Sequence, residues 1–379
     1  MNILLISPYF EPAVGGVETH LSDLVKYLAS KKHIVFVRAY KALGSKFRGK
    51  TNEDSQYLKI HRMWWPDFNL VFKLERFAFL RTIYIGFGLF IDCFLFLLNH
   101  SKEIDVVQVH GFIAALWSLP LAKIFKKRYV VNTHVGFKFE EASLMTKMVS
   151  YVLESSDAVL VLTKNAKDAL VEIGVNPSKI IIYHYWVDQD IFKPQMSAKK
   201  KLGWGDRFTV LFVGRLVEVK GIRTILKLAS KLSNITFVIV GSGPLTDLVK
   251  TASEKIKNIR FLGKVNNKDL PIYYCASDVL LIPSRIIKQE YEEGIPRVMI
   301  EALSCGLPVI TTPSGGIPDV FNEKIGSMED DNYIEIKKSI QKFVLDRKLL
   351  KRKSESCREF ALANFGIKNA QIIEQSLFS

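Results

Sequence analysis

Two glutamates eight positions apart carry the strongest chemical signal in this sequence. Glu293 lies in a turn marked by Gly294 and Pro296, and Glu301 lies on the helix that this turn predicts. The N-terminal end of a helix attracts phosphate, and carboxylates accept hydrogen bonds from sugar hydroxyls. The segment therefore suits a ligand that carries both groups. Two solvated acids on a surface helix are the alternative interpretation.

A second set of candidates suits phosphate. Arg215 and Lys220 follow a predicted strand and flank a turn that ends at Gly221. A departing diphosphate needs positive charge where its negative charge develops, and Arg offers a planar fork whereas Lys offers a point charge. Gly15 and Gly16 precede a predicted helix, so their backbone N–H groups can approach a phosphate closely. A plain turn is the alternative for both segments.

Alternating strand and helix patterns predict the elements that hold these residues. Buried-strand runs recur through the chain, with helical spacing between them, which predicts parallel, doubly wound sheets. The predicted strands are residues 2–7, 34–39, 105–110, 129–134, 158–163, 208–213, 235–240, 259–262, 279–282 and 309–310. The pattern stops near residues 187–194, where we place a linker. The fold class is thus α/β, with two Rossmann-like doubly wound domains facing across a cleft.

Composition agrees with two soluble cores in a reducing compartment. The chain has 379 residues, of which 48% are hydrophobic and 24% charged, which is too long for one ordinary domain and unlike a disordered chain. The four cysteines are far apart and include no C-x-x-C, so neither a disulfide framework nor a zinc site is predicted. The first residues lack a charged leader region and read as a buried strand.

The net charge of +15 indicates an anionic partner. Nucleic acid is not predicted, because no nucleic-acid motif accompanies the short basic runs. Residues 26–81 hold 13 Lys/Arg against four Asp/Glu, a charge of +9, and residues 64–96 are rich in Trp and Phe. This combination predicts an anionic membrane surface as a partner of residues 26–98. An ordinary buried helix over residues 83–98 is the alternative, and both interpretations hold if residues 62–80 face the lipid.

Residues 293–310 resemble the signature of glycosyltransferase family 4, the retaining enzymes of the GT-B fold. Other motifs of that family occur in the same order along nearly the whole chain, at residues 15–20, 213–221, 239–245, 261–263, 278–284 and 314–319. The resemblance implies an N-terminal acceptor-side domain over residues 1–190 and a nucleotide-sugar domain over residues 191–355. It also implies that the C-terminal helix, residues 356–379, crosses back to the N-terminal domain.

The resemblance also implies roles for single residues. Glu293 would contact the hydroxyls of the transferred sugar and Glu301 the nucleotide ribose, while the backbone N–H of Val298 would join the diphosphate site. In the same terms, the catalytic residues are Glu293, His134, Arg215 and Lys220. The donor-binding residues are Gly15, Gly16, Arg215, Lys220, Val298 and Glu301. The acceptor-binding residues are Tyr9, His20 and His110.

The implied function is transfer of a hexosyl or N-acetylhexosaminyl group, with retention, from a nucleotide diphosphate sugar to a lipid-linked or surface glycan. The family needs no cofactor and generally no metal, and the predicted location is the cytoplasmic face of the membrane. A nucleotide-sugar epimerase or phosphorylase on the same fold is an alternative. A non-catalytic sugar-nucleotide binding protein is another, although it is expected to lose some of the residues named above.

Two tripeptide patterns point elsewhere and are set aside. Asp188-Gln-Asp190 is a D-x-D pattern, which holds a metal in other glycosyltransferases, but it lies in the predicted linker. Gly241-Ser-Gly243 begins like a dinucleotide fingerprint but has Thr246 where the third glycine belongs, which disfavours a dehydrogenase. Two departures from the family also stand out: bulky residues over 183–188 and a long segment over 285–292.

Overall fold

The computed structural model describes residues 1–13, 15–41, 50–66, 70–74, 77–137, 143–285 and 291–378. The chain forms two compact units, one of Met1–Tyr183 with Asn369–Ser379 and the other of His184–Lys368. The second unit begins at His184, somewhat before the predicted domain boundary at residue 190.

The first unit is built on a sheet of eight strands within the described residues, with one further short strand, β7, outside that sheet. Its central strands are rich in Val, Ile and Leu and almost wholly buried, as expected where both faces are covered. The strands are β1 (Asn2–Ile6), β2 (Ile34–Tyr40), β3 (Asn52–Asp54), β4 (Leu58–Met63), β5 (Val106–His110), β6 (Arg128–Asn132), β7 (Val135–Phe137), β8 (Ala158–Val161) and β9 (Ile180–Ile182).

The strand order of this sheet is β3-β4-β2-β1-β5-β6-β8-β9, with every neighbouring pair parallel except β3 and β4. The order reverses between β1 and β5, where Ile3 lies opposite Val106. Ligands of doubly wound sheets bind at the carboxyl ends of the strands beside such a reversal. Gly15 lies in the segment after β1 and His110 is the last residue of β5, so the fold brings these candidates to the expected edge.

Helices cover both faces of this sheet. They are α1 (Gly16–Ser30), α2 (Leu70–Lys73), α3 (Ala78–His100), α4 (Phe112–Ile124), α5 (Leu144–Glu154) and α6 (Lys164–Glu172), with a 3-10 turn at Pro177–Lys179. Helix α1 buries Leu21, Leu24, Val25 and Leu28, the stripe expected from its sequence spacing.

Helix α3 packs one face on the unit and exposes the other. Ile85, Leu89, Cys93 and Leu97 are buried at one-turn spacing. Two glycines permit this packing, because a Cβ on Gly86 would lie 1.8 Å from Trp117 and a Cβ on Gly88 2.4 Å from the Tyr40 hydroxyl. The opposite face is apolar and exposed, through Phe79, Leu80, Ile83, Phe87, Ile91, Leu95 and Leu98.

The one acid of α3 is paired with the sheet below it. Asp92 accepts hydrogen bonds from Nε and Nη2 of Arg38 on β2. By length and composition alone, Phe79–His100 is apolar enough to cross a membrane. Its buried face and the Arg38 pair instead make α3 a covering helix of the first unit.

The second unit has a sheet of six parallel strands in the order β12-β11-β10-β13-β15-β16 within the described residues. The strands of this unit are β10 (Thr209–Val213), β11 (Thr236–Val240), β12 (Ile259–Gly263), β13 (Val279–Ile282), β14 (Tyr291–Glu293), β15 (Val309–Thr311) and β16 (Gly326–Met328). With the first sheet, this confirms the predicted class of two doubly wound α/β domains.

The helices of the second unit surround this sheet. They are α7 (Ala198–Lys201), α8 (Ile222–Lys231), α9 (Thr246–Lys255), α10 (Leu270–Cys275), α11 (Arg297–Ser304), α12 (Ile317–Val320), α13 (Tyr333–Leu345) and α14 (Arg347–Asn364), with 3-10 turns at Glu218–Lys220 and Asn267–Asp269. The last helix, α15 (Lys368–Ser376), lies almost wholly in the first unit. There Glu374 accepts a hydrogen bond from the Tyr27 hydroxyl and pairs with His33.

Candidate functional site

The two candidate cations of the second unit lie on one loop at the carboxyl end of its central strand. Arg215 follows β10 after a single glycine and is exposed, and Lys220 ends the 3-10 turn Glu218–Lys220 and is half-buried. The backbone N–H of Arg285, just after β13, donates to the carbonyl of Val219 at 2.8 Å. The loop with both cations is thereby fastened to the end of the neighbouring strand.

Glycines make the close packing of this loop possible. Gly221 has φ 69°, and a Cβ there would lie 1.9 Å from the Pro283 carbonyl oxygen. Gly241 has φ 143°, and a Cβ there would lie 1.8 Å from the Gly214 carbonyl oxygen. Both conformations favour glycine, and neither site has room for a side chain. These glycines of the sequence motifs therefore shape a backbone loop at the sheet edge.

Glu301 is a buried carboxylate with partners on both oxygens. Its residue is 2% exposed. Asn267 Nδ2 donates to Oε1 at 3.0 Å, and the Tyr274 hydroxyl donates to Oε2 at 2.8 Å. Arg297, itself buried, places Nε 3.7 Å from Oε1. Glu301 is therefore not the solvated surface acid that the alternative interpretation describes.

The three partners of Glu301 were missed from the sequence. Tyr274 lies on α10, inside an apolar helix pattern that gives no sign of a polar contact. Asn267 lies in the turn Asn267–Asp269 soon after β12, and a polar residue after a strand end was the available signal. Arg297 is one helical turn before Glu301, a spacing that brings side chains together.

Val298 lies on the helix that the sequence predicts, whereas Glu293, for which the sequence predicts a turn, is the last residue of a short strand. Glu293 ends β14, and its side chain and residues 286–290 fall outside the described part of the structure. Helix α11 begins at Arg297, so the N–H of Val298 belongs to the first turn, whose N–H groups have no partner inside the helix. The predicted sugar contact of Glu293 therefore stays a prediction.

A buried polar cluster in the first unit joins all three candidate histidines. Nδ1 of His110, the last residue of β5, lies 2.9 Å from Nε2 of His134, and the two rings stack with centroids 5.2 Å apart. His20 on α1 approaches His134 edge-on at 5.7 Å and lies at the same centroid distance from Tyr183. His134 follows the end of β6 by two residues. Tyr183 was not among the predicted site residues.

Burial keeps the imidazoles of His110 and His134 neutral. Desolvation lowers the pKa of His134 to about 3. Desolvation, together with the neighbouring His134, holds the pKa of His110 well below its usual range. Within the described residues, Nε2 of His110 and Oε1 of Gln108 are buried without a hydrogen-bond partner. The cluster therefore offers neutral donors and acceptors, which suit hydroxyl groups better than phosphates.

The remaining N-terminal candidates lie between the end of β1 and the first residue of α1. Gly15 precedes the helix with φ −174°, which is extended backbone open to any residue, and Gly16 is the first helical residue. Tyr9 is half-buried, and its carbonyl accepts a hydrogen bond from Ser7 Oγ. The glycine loop and Tyr9 thus lie beyond the carboxyl end of β1, and their ligands stay predictions.

The D-x-D pattern has a structural role here. Asp188 Oδ1 accepts hydrogen bonds from the backbone N–H groups of Asp190 at 2.9 Å and Ile191 at 3.3 Å. This is the local turn that Asp side chains commonly form. Among the residues that the structure describes, no three His, Cys, Asp or Glu side chains are grouped to hold a metal ion.

Comparison with known proteins identifies the family. The family model described as "Glycosyltransferase Family 4" matches residues 14–191, and the one described as "Glycosyl transferases group 1" matches residues 195–360. The chain belongs to glycosyltransferase family 4. The glycine loop of this glycosyltransferase and its three clustered histidines lie in the first match. The cation loop and Glu301 lie in the second.

One curated relative of this glycosyltransferase belongs to the human phosphatidylinositol N-acetylglucosaminyltransferase, of which it is one subunit. The two are 24% identical over 338 residues, an alignment that covers 86% of this chain and 64% of the human protein. The chain thus spans somewhat under two thirds of that relative's length. The likeness supports a glycosyltransferase and leaves the sugar and the acceptor open.

Solved structures agree on the fold. Sucrose-phosphate synthase from Thermosynechococcus elongatus matches with a TM-score of 0.80 and 21% identity, over 99% of this chain and 97% of that one. Anabaena HepE, solved in complex with UDP, matches with a TM-score of 0.77 and 18% identity, over 100% of this chain and 99% of that one. The fold is therefore that of the GT-B glycosyltransferases.

Proposed function

We propose that this protein is a retaining glycosyltransferase that moves a sugar from a nucleotide diphosphate sugar to a lipid-linked or surface glycan at a membrane. The observation that carries the donor half of the proposal is the loop of Arg215 and Lys220 at the carboxyl edge of the second sheet. Two cations fixed on one short loop suit a diphosphate. The buried Glu301 carboxylate, in the same unit, suits the hydroxyls of a ribose.

The proposed chemistry needs no protein nucleophile. The bond from the anomeric carbon to the diphosphate oxygen breaks, the acceptor hydroxyl forms the new bond on the same face, and a phosphate oxygen takes the hydroxyl proton. Arg215, Lys220 and the first N–H groups of α11 stabilise the charge that grows on the diphosphate. Because these groups supply positive charge and Asp188 is used in a turn, the proposal assigns no metal or other cofactor.

The first unit carries the sugar and acceptor contacts in this proposal. Neutral His110 and His134 hydrogen-bond hydroxyl groups, and Tyr9 and His20 lie near the acceptor. The name of the human relative refers to transfer of N-acetylglucosamine to phosphatidylinositol, so a hexosyl or N-acetylhexosaminyl donor and a lipid acceptor are the first to test. A UDP-sugar is the first donor to test because Anabaena HepE binds UDP.

A membrane partner is supported by the exposed face of α3. From Phe79 to Leu98 this face is about 29 Å long at 1.5 Å per residue, and every large residue on it is apolar. Contiguous exposed apolar surface marks an interaction site. Exposed lysines on the neighbouring elements, at Lys102, Lys123 and Lys126, favour an anionic lipid surface as its partner. The proposed location is therefore the cytoplasmic face of a membrane.

The experiment is a titration of the purified protein with UDP, GDP, ADP and CMP without added metal, followed by a sugar-transfer assay. Tight binding of one nucleotide that Glu301→Ala weakens at least about tenfold supports the donor site. Lys220→Ala is expected to lower turnover, with Lys231→Ala on the exposed end of α8 as the control. Folded protein that binds no nucleotide contradicts the proposal, and epimer or free sugar released without acceptor favours the alternative enzymes.

A further inference from the structure

Glu301 has more hydrogen-bond partners, and more precisely placed ones, than burial of a carboxylate alone requires. Two of its three partners come from the segment between β12 and β13, namely Asn267 from a 3-10 turn and Tyr274 from α10. One contacts Oε1 and the other Oε2, so the plane of the carboxylate is fixed from both sides. A carboxylate held by a single partner remains free to rotate about its last bond.

Arg297 balances the charge of this buried group. It lies one turn before Glu301 on α11, is 7% exposed, and approaches Oε1 at 3.7 Å. A buried carboxylate is costly without a counter-charge and hydrogen bonds. Arg297 supplies the charge at a distance longer than a normal hydrogen bond, so the direction of the carboxylate is set by Asn267 and Tyr274.

Tyr274 is a permanent donor to this carboxylate. Burial raises the pKa of its hydroxyl well above the usual value, and the charge of Glu301 raises it further. The hydroxyl therefore keeps its proton and donates a hydrogen bond to Oε2. An ionised carboxylate accepts about four hydrogen bonds, so one acceptor direction on each oxygen remains for a ligand. Two parallel acceptor directions match two neighbouring hydroxyls, the arrangement of the ribose 2′ and 3′ positions.

We propose that Tyr274 and Asn267 are positioning residues that aim the Glu301 carboxylate at the 2′ and 3′ hydroxyls of the donor ribose. The inference rests on the proposed function, because it takes Glu301 as the ribose ligand. The two residues act through Glu301, and their effect is discrimination between a ribonucleotide and its 2′-deoxy form. A pre-aimed carboxylate gains the full strength of both hydrogen bonds, because no rotational freedom is lost on binding.

The chain offers a matched control beside each residue. Tyr273 precedes Tyr274 on α10, but its ring packs near Trp204. Asn266 precedes Asn267 and donates instead to Asp269 in an exposed contact. Tyr274→Phe and Asn267→Ala each remove one hydrogen bond to Glu301, whereas Tyr273→Phe and Asn266→Ala remove none. Asn267 is exposed, so its variant is expected to fold even if a change at the buried Tyr274 is not tolerated.

The measurement is the ratio of the dissociation constants for the 2′-deoxy and the ordinary nucleotide, with UDP, GDP and ADP each paired with its 2′-deoxy counterpart. We expect the wild type to prefer the ribonucleotide and Glu301→Ala to lose the preference. Tyr274→Phe and Asn267→Ala are expected to reduce the ratio about fivefold each, the effect of one ordinary hydrogen bond. The two control variants are expected to keep the wild-type ratio.

Two outcomes separate this inference from the proposed function. If Glu301→Ala loses the preference while Tyr274→Phe and Asn267→Ala keep it, the positioning role is wrong and the donor site stands. If Glu301→Ala keeps both the affinity and the ratio of the wild type, or if no nucleotide binds, the assignment of ribose to Glu301 is wrong, and the inference falls with it.

Discussion

Asp92 on α3 accepts two hydrogen bonds from Arg38 on β2, each 2.7 Å long. Both side chains are largely buried, with 15% of Arg38 and 12% of Asp92 exposed. His61 on β4 adds a longer contact of 3.5 Å to the same carboxylate. The pair explains an acid in the middle of an apolar helix, because it ties α3 to the sheet that the helix covers.

Removing one partner of this pair is expected to destabilise the first unit. Asp92→Ala leaves the Arg38 guanidinium buried without its counter-ion, a change that costs about 2–4 kcal/mol in comparable sites. Urea unfolding with equal slopes for the wild type and the variant measures this difference. The double variant Arg38→Met with Asp92→Leu is expected to recover part of the loss, since it leaves no buried charge. A double variant less stable than Asp92→Ala would contradict the explanation.

The histidine cluster predicts sensitivity to acid. The pKa of His134 is about 3 in the folded protein against 6.5 for a free histidine, because burial penalises the charged ring. Between these values the unfolded chain binds a proton that the folded chain does not, so stability falls as the pH drops below about 6.5. The slope is about 1.4 kcal/mol per pH unit for each such group.

The His134→Gln variant tests this slope. We expect its free energy of unfolding to decrease less between pH 7 and pH 5 than that of the wild type, by about 2 kcal/mol. The His100→Gln variant, at the partly exposed end of α3, is the comparison. Equal losses in His134→Gln and the wild type would show that the ring is not buried in its neutral form.

Gly221 and Gly203 separate backbone strain from steric overlap. Both have a left-handed backbone, with φ 69° and 63°, but a Cβ on Gly203 would meet nothing within 4 Å, whereas one on Gly221 would strike the Pro283 carbonyl. Gly203→Ala is expected to cost about 1 kcal/mol from the backbone alone. Gly221→Ala is expected to cost more and to weaken nucleotide binding by moving the cation loop. Equal thermal shifts and unchanged binding would argue against this role.

The exposed apolar face of α3 predicts lipid binding. Because its side chains are exposed, we expect substitutions there to change lipid binding without changing the stability of the fold. The triple variant Phe87→Ser, Ile91→Ser and Leu95→Ser is expected to lose most of its binding to vesicles that contain anionic lipid, because about 25 cal/mol is lost for each Å² of apolar surface no longer buried. Co-sedimentation with such vesicles is the measurement.

The control for this experiment comes from the second unit. There Met196, Ile334 and Leu345 are also exposed and apolar, and their triple Ser variant is expected to bind vesicles as the wild type does. The Trp65 ring is a poor target, because it packs near Tyr40 and Tyr84. Equal vesicle binding by both triple variants would remove the membrane from the proposed function, and self-association of the wild type would point to a second copy as the partner.

The predicted strands correspond closely to the observed ones because their signal is local. A mostly apolar run such as residues 208–213 forms a strand, here β10, whatever its position along the chain. Glycine is required at positions 221 and 241 because the φ angles and the close contacts there leave no room for a side chain. The shorter or more polar strands β3, β4, β7, β9, β14 and β16 were not predicted. Lys59, His61 and Arg62 interrupt the apolar run of β4. The buried Arg62 is held by the Glu11 carbonyl, which is 51 positions away, and by the Glu53 carboxylate on the neighbouring strand β3.

The sequence by itself therefore determined the two sheets, the family and the segments that carry the site, since each depends on short patterns of residue type. Only the tertiary structure decided that Asn267 and Tyr274 hold Glu301, that His20 joins His110 and His134, and which face of α3 is left exposed. These relationships join residues up to 114 positions apart, as between His20 and His134. Such distances are set by how helices pack on a sheet, and no local pattern encodes that packing.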